Sequence, residues 1–382
     1  MPDEERPRPS SYPDGFAASS ADRRALLVLS ALAGMTARAL LDAAERNVSA
    51  AGCLEAVRAG RAGSAGDRAW AHRIDAAGLE GGLEACGARM VPWGDPEYPA
   101  ALTDLSDPPG VLYVRGRDLR RLRPAVAIVG ARNCSALGRE IATGLGRGLA
   151  AVGVCVVSGA ARGIDAASHR GALDAAGTTV AVLGSGIDVL YPPGSRRLLH
   201  EVQDGGAIVS EYPPSIAAEP WRFPARNRIV AGLARALVVV EGAGRSGSMI
   251  TVEHALDLGR QVFAVPGPVT SPLSEVPLAL IREGAVLIRG TDDLLEELGY
   301  RDRPPVVDGP PGLPDEERRV FEQLAGPSLP DAVARSVGLS IPEAVAALIR
   351  LELRGLVRNV GGRYERRLVI STPPQPAEPT EA

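Results

Sequence analysis

Runs of consecutive apolar residues alternate with amphipathic stretches through the middle of the chain. Helical spacing marks most of the intervening segments, such as Leu137–Ala151 and Ile164–Ala176. Uninterrupted β-branched runs indicate strands that are buried on both faces. Their alternation with helices predicts an α/β fold, a Rossmann-like, doubly wound and mostly parallel sheet, over residues 124–299. The strand-like runs are Val126–Val129, Val154–Val157, Val180–Leu183, Ala207–Val209, Leu237–Val240 and Val262–Val265.

Smaller units are predicted before this domain. Residues 1–20 are polar and rich in proline, which predicts a disordered tail. Residues 91–123 are predicted to form an extended connector with one strand, Val111–Val114. Between them, helical spacing predicts a small N-terminal helical domain at residues 21–90. Its helical segments are Ala25–Leu32, Ala37–Ala44 and Cys53–Ala59.

The end of the chain predicts a C-terminal winged-helix domain. Residues 300–312 have the composition of a proline-rich linker, and residues 372–382 that of a disordered tail. Between them, over 313–371, the pattern predicts three helices followed by two strands that meet at a Gly-Gly turn. The segments are Pro314–Leu324, Leu329–Val337, Ile341–Arg354, Leu356–Val360 and Arg363–Val369.

Composition excludes several classes of chemistry. All 42 basic residues are arginine, so the chain has no lysine for a Walker phosphate loop or for a Schiff base. The four cysteines form no CxxC pair, so a cysteine zinc site is not expected and a reducing cytoplasm fits best. The four histidines form no HExxH pair. We therefore expect neither a metal nor a cofactor.

Glycine-rich loops follow four of the predicted strands, the third of these loops at residues 184–186. Backbone N–H groups at a helix start carry partial positive charge, and the carboxyl ends of parallel strands meet at one edge of the sheet. These loops therefore predict an anion site at that edge. Any one glycine alone is also compatible with a plain turn. The candidate contacts are Gly130, Arg132, Ser158, Gly159, Arg162, Arg245, Ser246, Gly247 and Ser248.

The densest cluster of basic and aromatic residues is the segment 221–228. It holds Arg222, Arg226 and Arg228, with Asn227 and two aromatic rings among them. Guanidinium groups clamp phosphates and rings stack on exposed bases, which suits a single-stranded nucleic acid. The formal net charge of −4 does not oppose this, since binding depends on the local field. The alternative is a turn packed into the core, but burial of all three arginines would require matching carboxylates.

Together these motifs resemble the DNA-processing protein A family, also called DprA or Smf. The motifs occur in the family's order over some 160 residues. The matching segments are VAIVGAR (126–132), VVSGAARGIDAASHRGAL (156–173), TVAVLGSGIDVLYPP (179–193), FPARNRIVAGL (223–233), VVVEGAGRSGSMIT (238–251), VFAVPG (262–267) and LIREGA (280–285).

The resemblance implies a protein that binds single-stranded DNA without a nucleotide cofactor and without catalysis. It also implies a homodimer that protects incoming strands and passes them to the RecA recombinase in natural transformation. By the same resemblance, Arg132 is expected to contact phosphate, and Arg226 and Arg228 are expected to line the path of the strand. The helical domain at 21–90 is expected to be similar to SAM or helix-hairpin-helix domains.

Two other functions stay open at this point. The segment 247–253 loosely resembles the phosphate loop of lysine-decarboxylase-like phosphoribohydrolases, which hydrolyse nucleoside 5′-monophosphates, with Glu253 as the acidic residue. Alternatively, the winged helix reads duplex DNA. Its third helix has Glu343 at its start and small apolar residues after it, which does not favour reading of the major groove. For the winged helix we therefore expect contact with a protein, or weak backbone binding through Arg363, Arg366 and Arg367.

Overall fold

Five helices and two strands form the N-terminal part of the chain. The structure is a computed structural model, which describes residues 11–300 except 123 and 245, and residues 314–366 except 325–327 and 354–355. The helices are α1 (Ser20–Ser30), α2 (Ala37–Asn47), α3 (Ala50–Arg58), α4 (Ala65–Ala71) and α5 (Ala76–Cys86). The strands that follow are β1 (Arg89–Pro92) and β2 (Val111–Gly116).

Parallel strands and helices then alternate, as the apolar runs predict. The sheet has nine strands in the order β1-β2-β6-β5-β4-β3-β7-β8-β9, in which β1–β2 and β2–β6 pair antiparallel and the other pairs are parallel. This confirms the doubly wound, mostly parallel α/β fold. The remaining elements are β3 (Ala125–Val129), α6 (Ala136–Ala151), β4 (Cys155–Ser158), α7 (Ile164–Asp174), β5 (Thr179–Leu183), α8 (Arg196–Gly205), β6 (Ala207–Ser210), α9 (Arg222–Leu233), β7 (Ala236–Val239), α10 (Ser248–Asp257), β8 (Gln261–Ala264), α11 (Glu275–Arg282), β9 (Val286–Leu287) and α12 (Thr291–Glu297).

The central strand β3 is buried on both faces of the sheet. Val126 and Ile128 belong to a core shared with α6, α7 and α12, whereas Ala127 and Val129 belong to a core shared with α9, α10 and α11. Burying both faces explains why the strand lacks a polar alternation. The chain leaves β3 towards β4 on one side and later returns to β7 on the other. Ligands in such sheets bind where the strand order reverses, so β3 and β7 mark the position to examine.

The prediction of disorder over residues 1–20 is wrong for residues 11–20. Tyr12 and Phe16 are buried, with ring centroids 4.8 Å apart, and the Tyr12 hydroxyl donates to the Pro108 carbonyl at 3.3 Å. The prediction failed because these two rings bury apolar area, although the residues around them are mostly polar. Residues 1–10 lie outside the described part of the chain.

The strand predicted at Val111–Val114 is present as β2, but the segment 91–123 is not merely a connector, because β1 and β2 extend the main sheet. Tyr113 of β2 pairs with Ser210 of β6, and the predicted boundary at residue 90 falls inside β1. The N-terminal helices share one core with this side of the sheet, in which Leu26 packs in the same cluster as Ile208. The apolar faces of these helices are therefore buried by the sheet and by one another.

The helices and strands predicted for a winged helix are present. They are α13 (Asp315–Gln323), α14 (Pro330–Val337), α15 (Ile341–Leu353), β10 (Val357–Val360) and β11 (Arg363–Arg366). Arg350 of α15 donates to Glu317 of α13 at 2.8 Å, which ties the third helix to the first. Arg367 and the predicted linker at 301–312 and tail at 372–382 lie outside the described residues.

No single helix among residues 11–300 and 314–366, as far as they are described, is long and apolar enough to cross a membrane. Helices α14 and α15 reach the required length and composition only when they are counted together across a bend of 107°. Both contribute buried residues to the small core of the winged helix, Val333 from α14 and Leu348 from α15 among them.

His169, a buried histidine on α7, makes the stability of the fold depend on pH. The Thr179 hydroxyl donates to the Val156 carbonyl at 2.7 Å, so Nδ1 of His169 must donate to that hydroxyl, 2.6 Å away. This leaves Nε2 as a buried acceptor without a hydrogen-bond partner in the described structure. Burial, helped by the charge of Arg226, lowers the pKa of His169 to about 3.

We expect His169 to cost stability in mild acid. Below its unfolded pKa of about 6.5, the unfolded chain binds a proton that the folded chain does not. This residue should therefore remove about 2 kcal/mol from the free energy of unfolding between pH 7.5 and pH 5.0. Urea unfolding at both pH values checks this against His169→Gln, whose loss over the same interval should be smaller by that amount. An equal loss in both proteins would contradict it.

Candidate nucleic-acid interface

A cleft of about 520 Å³ opens at the carboxyl ends of β3, β4 and β7, where the strand order reverses. The first turns of α9 and α10 form its other walls. Eight of the twelve sequence-predicted contacts line this cleft. They are Gly130, Arg132, Gly159, Arg226, Asn227, Ser246, Gly247 and Ser248.

Arg132 offers an exposed guanidinium to the cleft. It lies in the loop after β3, which is held against the start of α7 by a hydrogen bond from the Ile164 N–H to the Ala131 carbonyl at 3.2 Å. Gly163 permits this approach because it has a φ of 81°, and a Cβ there would lie 2.2 Å from the Ala131 oxygen. Two backbone features thus place Arg132, while its side chain stays free to meet an anion.

Two aromatic rings lie beside Arg132, and we call the rings of Tyr191 and Phe223 the aromatic platform; Phe223 lines the cleft and Tyr191 packs against Phe223. The Arg132 guanidinium lies 5.7 Å from the centre of the Phe223 ring. The Tyr191 ring lies 5.5 Å from Phe223 on centroids, and Tyr191 is 45% exposed. The platform is therefore a partly exposed pair of rings next to a cation, a combination that suits the stacking of unpaired bases.

Arg226 forms the floor of the cleft and is bound mainly to the protein itself. Its Nη1 donates to the carbonyls of Gly159, at 2.5 Å, and Val182. Burial lowers the pKa of Arg226 to about 10, although the Asp165 carboxylate favours the charged form. The sequence predicts that Arg226 lines the path of the DNA strand. The structure places Arg226 in the cleft lining, and its guanidinium also joins the end of β4 to β5.

Asp165 fills the anion position that the sequence predicts after β4. Its Oδ2 accepts from the N–H groups of Gly159 and Ala161, at 3.2 and 3.3 Å. Burial raises the pKa of the Asp165 carboxyl above its usual value, while Arg226 and these donors oppose the rise. The Gly159 amide is therefore already satisfied. Ser158 is not a contact either, since its buried hydroxyl donates to the Ile128 carbonyl at 2.6 Å.

Arg228 does not line the cleft, which corrects the sequence prediction. It is buried and forms ion pairs with Glu211 at 2.7 Å and Asp107 at 3.1 Å. Burial lowers the pKa of Arg228, but the two carboxylates outweigh it and hold the pKa above its usual value. Arg222 is buried too, with its guanidinium against the rings of Tyr212 and Trp221. For Arg222 and Arg228 the alternative interpretation is therefore correct: their side chains pack into the core.

The N-terminus of α10 is open to the cleft. Its N-cap, Gly247, has no side chain to bond the first turn, and the Ser248 N–H meets only the Ser246 hydroxyl at 3.3 Å. The Ser246 and Ser248 hydroxyls lie 2.7 Å apart, and the Asn227 amide donates to the Gly247 carbonyl at 3.2 Å. Hydroxyls and amides at a helix start favour an anionic group here.

Two further predicted contacts stand apart from the cleft lining. Arg162 is exposed on the loop after β4 but does not line the cleft. Arg245 lies outside the described residues. The loop at 184–186 contributes no lining residue, because its groups close a turn in which the Ser185 hydroxyl donates to the Val189 carbonyl at 2.7 Å.

Sequence reasoning missed Glu241, which follows β7 and binds the start of α6. Its carboxylate accepts from the Ser135 N–H at 2.9 Å and from the Ser135 hydroxyl at 2.6 Å. The two residues are 106 positions apart in the chain, so no local pattern could pair them. The available signal was Gly138, an unexplained glycine in the first turn of a helix.

The cleft lacks a free acid or base in its described lining. Asp165 is the carboxylate that lines it, and Asp165 is hydrogen-bonded to backbone amides. Glu253, the acidic residue that a phosphoribohydrolase would need, lies on the exposed side of α10 and is not among the lining residues. Within the described ranges, no group of three or more His, Cys, Asp or Glu could hold a metal ion.

Two protein families match the chain. Residues 89–299 match the family profile of DNA recombination-mediator protein A, and residues 304–363 match that of the DprA winged helix domain. Protein Smf of Escherichia coli is 37% identical over 295 residues, which are 74% of this chain and 79% of that protein. DNA processing protein DprA of Bacillus subtilis is 38% identical over 217 residues, 56% of this chain and 73% of that protein.

Two solved structures have similar folds. The DNA processing protein A structure from Streptococcus pneumoniae superposes with a TM-score of 0.64 at 34% identity and covers 73% of this chain and 98% of that one. The protein from Helicobacter pylori, described for its single-stranded DNA binding mode, has a TM-score of 0.51 at 26% identity and covers 55% of this chain and 95% of its own.

Proposed function

Since the chain belongs to the DNA recombination-mediator protein A family, we propose that it binds single-stranded DNA in the cleft described above and protects the strand without bond chemistry. One observation carries this proposal: the exposed Arg132 guanidinium, the aromatic platform and the open N-terminus of α10 all meet at the switch point of the sheet. The first and last of these suit phosphate, and the platform suits an unpaired base.

The proposed arrangement is tolerant of sequence. Phosphate groups lie between Arg132 and the first turn of α10, and bases stack on Tyr191 and Phe223. Every base has a π-face and every nucleotide a phosphate, so these contacts do not distinguish sequences. A duplex hides its base faces and loses the stacking contribution. Single strands should therefore bind more tightly than duplexes of equal length.

We further propose that binding is the whole activity at this site. The cleft-lining carboxylate Asp165 accepts two hydrogen bonds from amides and is buried against Arg226, so it is poorly placed to abstract a proton or activate water. The position of Glu253 away from the lining argues in the same direction.

Transfer of the DNA strand to RecA and a homodimeric state are included in the proposal on the strength of the family resemblance alone. The four free cysteines support a reducing, cytoplasmic location.

Fluorescence anisotropy and a hydrolysis assay test this function together. We expect labelled single-stranded oligonucleotides of unrelated sequence to bind with similar affinity, and their duplexes to bind more weakly. Incubation with AMP or CMP should release no free base. Tighter binding to duplex would contradict the proposed mode, and release of base would favour the phosphoribohydrolase instead.

A further inference from the structure

The N-terminus of α6 is occupied by a carboxylate of the chain itself. This helix follows β3 directly, and both oxygens of Glu241 accept hydrogen bonds from Ser135, its N-cap. The Ser135 hydroxyl in turn accepts from the Gly138 N–H at 2.9 Å. A negative group thus sits at the positive end of a 16-residue helix, beside the loop that carries Arg132.

Gly138 makes room for this carboxylate. A Cβ at position 138 would lie 2.4 Å from the Glu241 carboxyl carbon and about as close to both oxygens. Glycine in the first turns of a helix lowers helix stability relative to alanine, so the position is not explained by helix propensity. Its effect is to let the side chain of Glu241 lie against the helix backbone.

We propose that Glu241 is a specificity-determining residue that takes the place of a phosphate at the start of α6 and so excludes free phosphates and mononucleotides from that position, next to the cleft. In doubly wound folds, the helix start after a strand at the switch point is the usual position for an isolated phosphate. A free nucleotide would have to displace Glu241 to use it. A polynucleotide does not need this position, because it places several phosphates on Arg132 and α10 together. This inference rests on the proposed function and names the ligands that the helix start beside the cleft rejects.

Removal of the carboxylate should open the position to inorganic phosphate. We expect the thermal midpoint of Glu241→Ala to be higher in about 10 mM phosphate than in chloride of the same ionic strength. Its Kd for phosphate should be at least about tenfold lower than that of the wild type. The control is Glu140→Ala, which removes an equal charge from the exposed side of α6 and should respond like the wild type. The same titration with dAMP should follow the same order.

A second variant tests the proposal in case Glu241→Ala destabilises the start of α6 by removing its hydrogen bonds to Ser135. Glu241→Gln keeps the size and one acceptor oxygen of the side chain but not its charge, so it should fold and should respond to phosphate less strongly than Glu241→Ala. If neither variant responds more than the wild type, the proposal is overturned. Failure of the wild type to bind single-stranded DNA would instead overturn the proposed function, and the phosphate response of the variants would still decide the role of Glu241.

Discussion

Replacing Arg228 with alanine is expected to lower the free energy of unfolding by about 3–5 kcal/mol. The Arg228 side chain is 4% exposed and pairs with Glu211, which is 15% exposed, and with Asp107. The substitution leaves a largely buried carboxylate without its cation, and this costs more than the pair itself contributes. It also loosens α9 from the segment before β2. Urea unfolding followed by circular dichroism measures the loss.

The same variant separates the two roles considered for Arg228. Under conditions where it is folded, its affinity for single-stranded DNA should fall with salt at the wild-type slope, because Arg228 does not line the cleft. A slope flatter by about 0.7 would mean that Arg228 contacts phosphate, as the sequence predicts. A loss of stability under about 1 kcal/mol would show that the ion pairs are not important.

Replacing Arg226 with alanine is expected to cost about 3–5 kcal/mol as well. The Gly159 and Val182 carbonyls would lose their guanidinium donor, and the buried Asp165 would lose its nearest compensating charge. Binding should also weaken, since Arg226 lines the cleft and joins the end of β4 to β5 beside it. Arg139→Ala, an exposed arginine on α6, is the matched control and should change stability by less than about 0.5 kcal/mol.

Rescue distinguishes a structural role of Arg226 from direct contact with the strand. Raising the fraction of folded protein, by lower temperature or added osmolyte, should restore part of the binding lost in Arg226→Ala. A variant of wild-type stability with strongly reduced affinity would contradict the structural role and return Arg226 to the strand path.

The sheet and its loops could be predicted because their signals are local. Buried parallel strands appear as unbroken apolar runs, and a glycine at the end of a run marks the turn into the next helix. The position of the cleft follows from these signals together with the rule for parallel sheets. Arg132 was predicted correctly as a cleft residue for this reason, since it comes directly after β3.

The direction of the other arginines depends on partners far away in the chain. Arg228 is bound by Asp107, 121 residues earlier, through its Nε and the Asp107 carbonyl as well as the carboxylate. Glu241 likewise binds the start of α6 from 106 residues away. Asp165 is a local partner of Gly159 and Ala161, but the sequence does not show that its carboxylate turns back onto their amides. The cluster of basic residues at 221–228 therefore predicted a nucleic-acid surface, but its three arginines are buried and contribute little exposed positive charge.

The salt dependence of single-strand binding by Arg132→Ala tests the central claim most directly. Arg132 is exposed and its loop is held by backbone contacts, so the variant should be as stable as the wild type. Its affinity for single-stranded DNA should fall for every sequence tested, and its log–log slope against salt should be flatter by about 0.7, the loss of one neutralised phosphate. Unchanged affinity and slope would show that the strand does not bind in this cleft.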